Sequence, residues 1–187
     1  MTSPDEILTF WFGDRSHSER ETYRDAWFKK DAAFDAAIKE RFGATVETAL
    51  DGGFADWEST RDGVLALILL LDQFNWNLNR DSARAFDGDR RALALANAAL
   101  AKGFDQSAPL VERQFFYMPF EHSEDLKDQD RCCALMATLG NPDLVDYADR
   151  HRAIIRRFGR FPHRNTALGR PSTPEEIEFL KMPGSSF

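Results

Sequence analysis

The chain has 187 residues and a formal net charge of -7 at pH 7, with 43% hydrophobic and 29% charged residues. That length buries one good core and makes a single domain, 1–187, the default. The acid excess argues against nucleic acid as a partner, and the apolar run from Val64 to Leu71 is far short of the roughly 20 residues a bilayer requires.

Sixteen phenylalanines and almost no alternation of Val, Ile and Thr exclude a β protein and define an all-α fold class. Ser3-Pro4-Asp5-Glu6 reads as an N-cap, a first-turn proline and an N3 glutamate opening a helix that Gly13 stops. Ser18 starts a second helix through Trp27 and Phe28. Phe34, Ile38 and Phe42 share a face of a third, which ends at Gly43, and a short piece carries Val46 and Leu50. A central helix runs from about Ser59 to Leu78, and an Ala-rich one from about Asp89 to Lys102. Ser107 and Pro109 open a helix reaching Tyr117, which Pro119 ends; Ser123 caps the next. Asn141-Pro142-Asp143 starts a long helix to about Phe158, and Thr173-Pro174-Glu175-Glu176 caps the last. The expectation is nine to ten helices joined by short loops, with no fixed-period repeat and no N-terminal leader of the secretory type. Cys132 and Cys133 are adjacent on a helix, where a mutual disulfide would be strained, so reduced thiols in a cytoplasmic protein are expected.

Charge is divided unevenly along the chain. Residues 1–149 hold 16 Lys+Arg against 28 Asp+Glu; residues 150–187 hold 8 against 3. Five arginines lie between Arg156 and Arg170, interleaved with Phe, Gly, Pro and His, which predicts forks projecting from a loop. Guanidinium forks suit carboxylates and phosphates, so the loop holds either an external anion or internal acids such as Asp72 and Glu124.

Polar residues that interrupt apolar patterns mark the other candidates. Asp72-Gln73 follows the longest apolar run and needs a partner if buried. His122, Glu121, Glu124 and Asp128 flank a helix start without any recognised metal spacing, so no metal is expected. His151 sits in the stripe Leu144, Tyr147, His151, Ile154, Phe158; it is either a hydrogen-bonded core residue or an acid/base group.

Several blocks together resemble the bacterial domain-of-unknown-function 924 family. They are Phe10-Trp11-Phe12-Gly13, Leu69-Leu70-Leu71-Asp72-Gln73-Phe74, Ala85-Phe86, Glu121-His122-Ser123-Glu124-Asp125 with Gln129, Arg157 to Asn165, Leu168-Gly169-Arg170 and Thr173 to Glu176. The resemblance implies a TPR-like right-handed stack of helices and carries no reaction. Where the family reads Asp-Gln-Phe-Pro-Arg-Asn, this chain has Asn75-Trp76 before Asn77, a position less basic and more aromatic.

The function expected from these residues is binding of a small anionic or amide-bearing ligand, with hydrolysis or proton transfer open. Asp72, His122, Glu124 and His163 are the candidate acids and bases. Arg157, Arg160, Arg164, Asn165, Trp76, Tyr117, His151 and Gln129 are the candidate ligand contacts. No cofactor fingerprint is present. Two alternatives remain: a TPR-like module holding a peptide, and a polar brace with no ligand.

Overall fold

The computed structural model describes residues 2–16, 20 and 22–186. Every regular element among them is helical, and the chain divides into two compact units: Met1–Arg80 with Arg84–Pro119, and Asp81–Ala83 with Phe120–Phe187.

In the first unit, α1 (Pro4–Phe12) begins with the expected capping box, Ser3 and Glu6 each bonding the other's main chain, and ends at Gly13 with φ 97. The expected helix start at Ser18 lies outside the described residues. Downstream, Asp25–Trp27 is a single 3-10 turn without a side-chain cap, and the Trp27 indole donates to the Trp11 carbonyl at 3.0 Å. A helix α2 (Ala32–Leu50) follows, capped by the Asp31 carboxylate on two amides.

The central segment comprises α3 (Arg61–Ile68), a π-helical stretch (Leu69–Phe74) and α4 (Asn75–Leu78), one continuous rod of helix. Its residues Leu65 to Leu71 are fully buried. Then come α5 (Asp89–Ala101) and α6 (Leu110–Glu121), whose last two residues belong to the second unit. Rings knit this unit together: Trp11 meets Trp27, Phe34, Phe74 and Phe115 at centroid separations of 5.2–6.0 Å. At the head of α5, a Cβ on Gly88 would stand 2.2 Å from the Leu71 carbonyl oxygen, so the backbone must approach the π-helical stretch bare.

The second unit contains α7 (Leu126–Ala137), α8 (Pro142–Phe158) and α9 (Pro174–Phe179). The helices α7 and α8 pack as a hairpin across a four-residue connection. Ile154, Ile155 and Phe161 form its core, with Phe158 against Phe179.

With the central rod taken as one, the described residues form eight α-helices rather than nine to ten. Two expected breaks are absent. Gly43 lies inside α2, where the periodic burial of Ile38, Phe42, Val46 and Ala49 outweighs one glycine's weak propensity. Pro119 lies inside α6, which continues to Glu121. The start of α7 also moves: Asp125 caps it by accepting from the Lys127 amide, while the Ser123 hydroxyl donates to Asp128 at 2.7 Å.

Candidate functional site

Most of the arginine-bearing segment is engaged by carboxylates of its own unit. Only part of it is loop, since Arg156 and Arg157 fall in the last turn of α8, which Gly159 closes at φ 69. Arg157 pairs with Glu175 at 2.8 Å. Arg160 reaches both oxygens of Glu176, at 2.6 and 2.8 Å, and donates to the Pro171 carbonyl. Glu176, 2% exposed, also accepts the Thr173 amide; these bonds, led by the Arg160 fork, hold its carboxyl down at about 2. Arg170 grips both oxygens of Glu124 at 2.7 and 3.0 Å. Burial pushes the Glu124 carboxyl up, but the Arg170 fork and the Phe161 amide, donating at 2.8 Å, outweigh it and hold the group below its ordinary range. Asn165 completes the frame, accepting from Arg170 at 3.0 Å and donating to Ser172.

Within this frame Phe161, fully buried, is a hub. The His151 ring meets it edge-on at 5.7 Å, the His163 ring lies tilted at 5.6 Å, and the Arg164 guanidinium stands over it at 4.7 Å. Both imidazoles are held neutral. Burial drives His151 down to about 3, against the partial support of its Nδ1–H bond to the Tyr147 carbonyl at 2.9 Å. For His163, burial and then the Arg164 charge lower it to about 4. His122, half-buried on the turn after α6, is close enough to disfavour protonation of both. Glu121, 5% exposed, sets a carboxylate oxygen 3.7 Å from His151 Nδ1.

The turn bearing Glu121 and His122 is clamped by Gln129. Its side-chain amide donates to the carbonyls of Glu121 at 2.6 Å, Ser123 at 2.7 Å and Phe120 at 3.3 Å. Gln129 is fully buried, and its amide nitrogen acts on backbone.

Thus His122, Glu124, Gln129, His151, Arg157, Arg160, His163, Arg164 and Asn165 all belong to the second unit. Asp72, Trp76 and Tyr117 belong to the first. There the Asp72 carboxylate accepts from Gln73 at 2.6 Å, Trp76 carries the Arg80 guanidinium 3.9 Å above its ring, and the buried Tyr117 hydroxyl donates to Asp105 at 2.9 Å. Sequence reasoning offered Glu124 as an acid for the arginine segment without singling out Arg170 as its partner, and it missed Glu176 as the partner of Arg160 and Glu121 as the carboxylate beside His151. Glu121 was legible only if α6 ran through Pro119. An open recess of ≈ 560 Å³ lies elsewhere, lined by Ser3, Asp5, Arg15, Arg61 and Asp62 of the first unit. The described residues bring no three His, Cys, Asp or Glu groups into a metal-holding arrangement.

An all-helical protein whose second unit sets neutral histidines and one arginine around a phenylalanine ring is the class that fold and geometry define. The chain belongs to the bacterial family described as a bacterial protein of unknown function, DUF924, whose model matches residues 7–184. It is similar to the solved structure of a protein of unknown function from Agrobacterium tumefaciens, with 39% identity, a TM-score of 0.86, and coverage of 95% of this chain and 96% of that one. No curated protein matches the chain. Among the described residues, no helix is long and apolar enough to cross a membrane.

Proposed function

We propose that the second unit binds a small anionic or amide-bearing ligand at the Phe161 hub, with Arg164 taking the negative or carbonyl end and His163 and His122 as proton donors or acceptors. The observation that carries this reading is a pair of uncharged imidazoles, His151 buried and His163 half-buried, beside a buried arginine and the Glu121 carboxylate. Two neutral histidines are dispensable in a frame already closed by carboxylate–guanidinium pairs, and a bound anion would make either easier to protonate. The half-buried His122 and His163 are the route in from solvent.

The ion pairs of Arg157, Arg160 and Arg170 fit the brace instead, so the anion contact moves to Arg164. The hairpin of α7 and α8 is compatible with a TPR-like stack and with a peptide as the alternative occupant.

A metabolite panel screened by thermal shift on the full chain tests the proposal. Anionic or amide-bearing compounds should stabilise the wild type and lose that effect in His163→Ala and Arg164→Lys, while the unliganded variants melt near the wild type. Hits that persist in both variants, or variants that melt far below wild type with no hit in any protein, would leave only the brace.

A further inference from the structure

Residues 160–168 of the second unit carry His163 and Arg164 and lie between two glycines in the left-handed region, Gly159 at φ 69 and Gly169 at φ 65. Inside this strap the backbone bonds largely to itself. The Arg164 amide donates to the Phe161 carbonyl, Asn165 to Pro162, and Leu168 to Arg164, at 2.9–3.1 Å. Its buried apolar side chains are Phe161 and Pro162, both at one end.

The polar contacts of the strap converge on one side chain. Arg170, just beyond the second glycine, engages every guanidinium nitrogen. Its Nε donates to the Asn165 side-chain oxygen at 3.0 Å, and its Nη1 to Glu124 at 2.7 Å. Its Nη2 donates to Glu124 at 3.0 Å and to the Phe161 carbonyl at 3.1 Å. One knot thereby ties two points of the strap to the head of α7. The side chains of Arg170 and Glu124 are 24% and 29% exposed, so water competes for these bonds. By contrast His151, Glu121 and Arg164 are buried, and a ligand reaches them only if part of the unit moves.

We infer that residues 160–168 are a gate over the Phe161 hub, with Gly159 and Gly169 as hinges and the Arg170 guanidinium as the latch. What the gate admits rests on the proposed hub ligand; the motion rests on the strap alone. Glycine passes between left- and right-handed backbone without a Cβ penalty, so the turns at either end can rewind. The internal hydrogen bonds travel with the strap, which keeps its backbone groups paired on opening. Withdrawing Phe161 exposes a full ring, so the closed state dominates and the open one is a minority population. Because His163 and Arg164 ride on the strap, closing delivers both to a ligand and excludes water.

Amide hydrogen exchange of 15N-labelled full-length protein, followed at increasing urea below the unfolding transition, tests the motion without any ligand. The amides of Phe161, Arg164, Leu168 and Arg170 should exchange together, through one opening with a shallow urea dependence, and faster than Ile154 and Ile155 of α8. Arg170→Gln should raise the strap's opening at least about tenfold, the worth of its lost charge-assisted bonds. Arg157→Gln removes an ion pair outside the strap and should change the opening by less than about twofold. Strap amides that follow Ile154 and Ile155 on the steep dependence of global unfolding would make the segment a rigid brace and end the proposal. Four unrelated rates, no response to Arg170→Gln, or an equal response to Arg157→Gln would end it too. An opening strap with no hit in the metabolite panel would uphold the motion and remove its cargo, whereas hits on a strap that never opens would uphold the hub and remove the gate.

Discussion

Glu124 and Arg170, 46 residues apart, form a two-armed ion pair at 2.7 and 3.0 Å, and the same carboxylate accepts the Phe161 amide. One side chain at the head of α7 therefore fixes both ends of the segment that carries His163 and Arg164. Glu124→Ala should lower stability by about 2 kcal/mol, since it strands a guanidinium and an amide together. Chemical denaturation of Glu124→Ala, Arg170→Ala and the double variant checks this. Additive single losses would mean that the pair is not coupled.

The neutral imidazoles give the protein an acid sensitivity that begins above the carboxylate range. An unfolded His151 takes up its proton near 6.5, whereas the folded one resists until about 3. Between those values the unfolded state binds more protons, so stability present above pH 6.5 is lost as pH falls, at up to about 1.4 kcal/mol per pH unit for this group. His163, held to about 4, acts in the same direction. Glu124 and Glu176 add their own loss only below 4.5. Urea midpoints measured from pH 7 to 5 should fall for the wild type and fall less for His151→Gln; parallel slopes would contradict a neutral His151.

Two helical glycines should respond to alanine with opposite signs. Gly43 lies inside α2 with no atom near its missing Cβ, so Gly43→Ala should stabilise by about 1 kcal/mol. Gly63 lies in the first turn of α3, where a Cβ would stand 2.2 Å from the Trp57 carbonyl oxygen. Gly63→Ala should destabilise by about 1–3 kcal/mol through overpacking. Melting temperatures that move the same way would show that one of these backbone placements is wrong.

Cys132 is fully buried and Cys133 8% exposed. Burial drives the Cys132 thiol far up and raises Cys133 to about 11. Both should therefore resist alkylation at pH 8 in the folded protein and react fully in denaturant. Rapid native labelling at either would be incompatible with this packing.

The sequence is most legible where a cap, a proline and a periodic apolar face agree, as at Ser3 with Glu6 and at Thr173 with Glu176; both capping boxes form. It misleads where a single residue is taken to end a helix. Gly43 and Pro119 each suggest a stop, but helix ends are decided by what the next turn buries, and Val46 and Phe120 are both buried. Running through Pro119 is what brings Glu121 to His151. The π-helical winding of Leu69–Phe74 leaves no local signature, because the apolar residues around Asp72 and Gln73 read equally well at either pitch. The arginine partners are similarly hidden: Glu176 sits 16 residues beyond Arg160, and nothing in either segment names the other.

The lopsided electrostatics of the primary structure vanish once the second unit's pairings are drawn. From Phe120 onward the chain carries 10 Lys+Arg and 11 Asp+Glu, and Arg150, Arg152, Arg156, Arg157, Arg160, Arg170 and Lys181 each have an acid within 4 Å. What looks along the sequence like a cationic tail is a self-neutralised body with little far field. Polyanions passing at more than a Debye length would feel almost no pull from it.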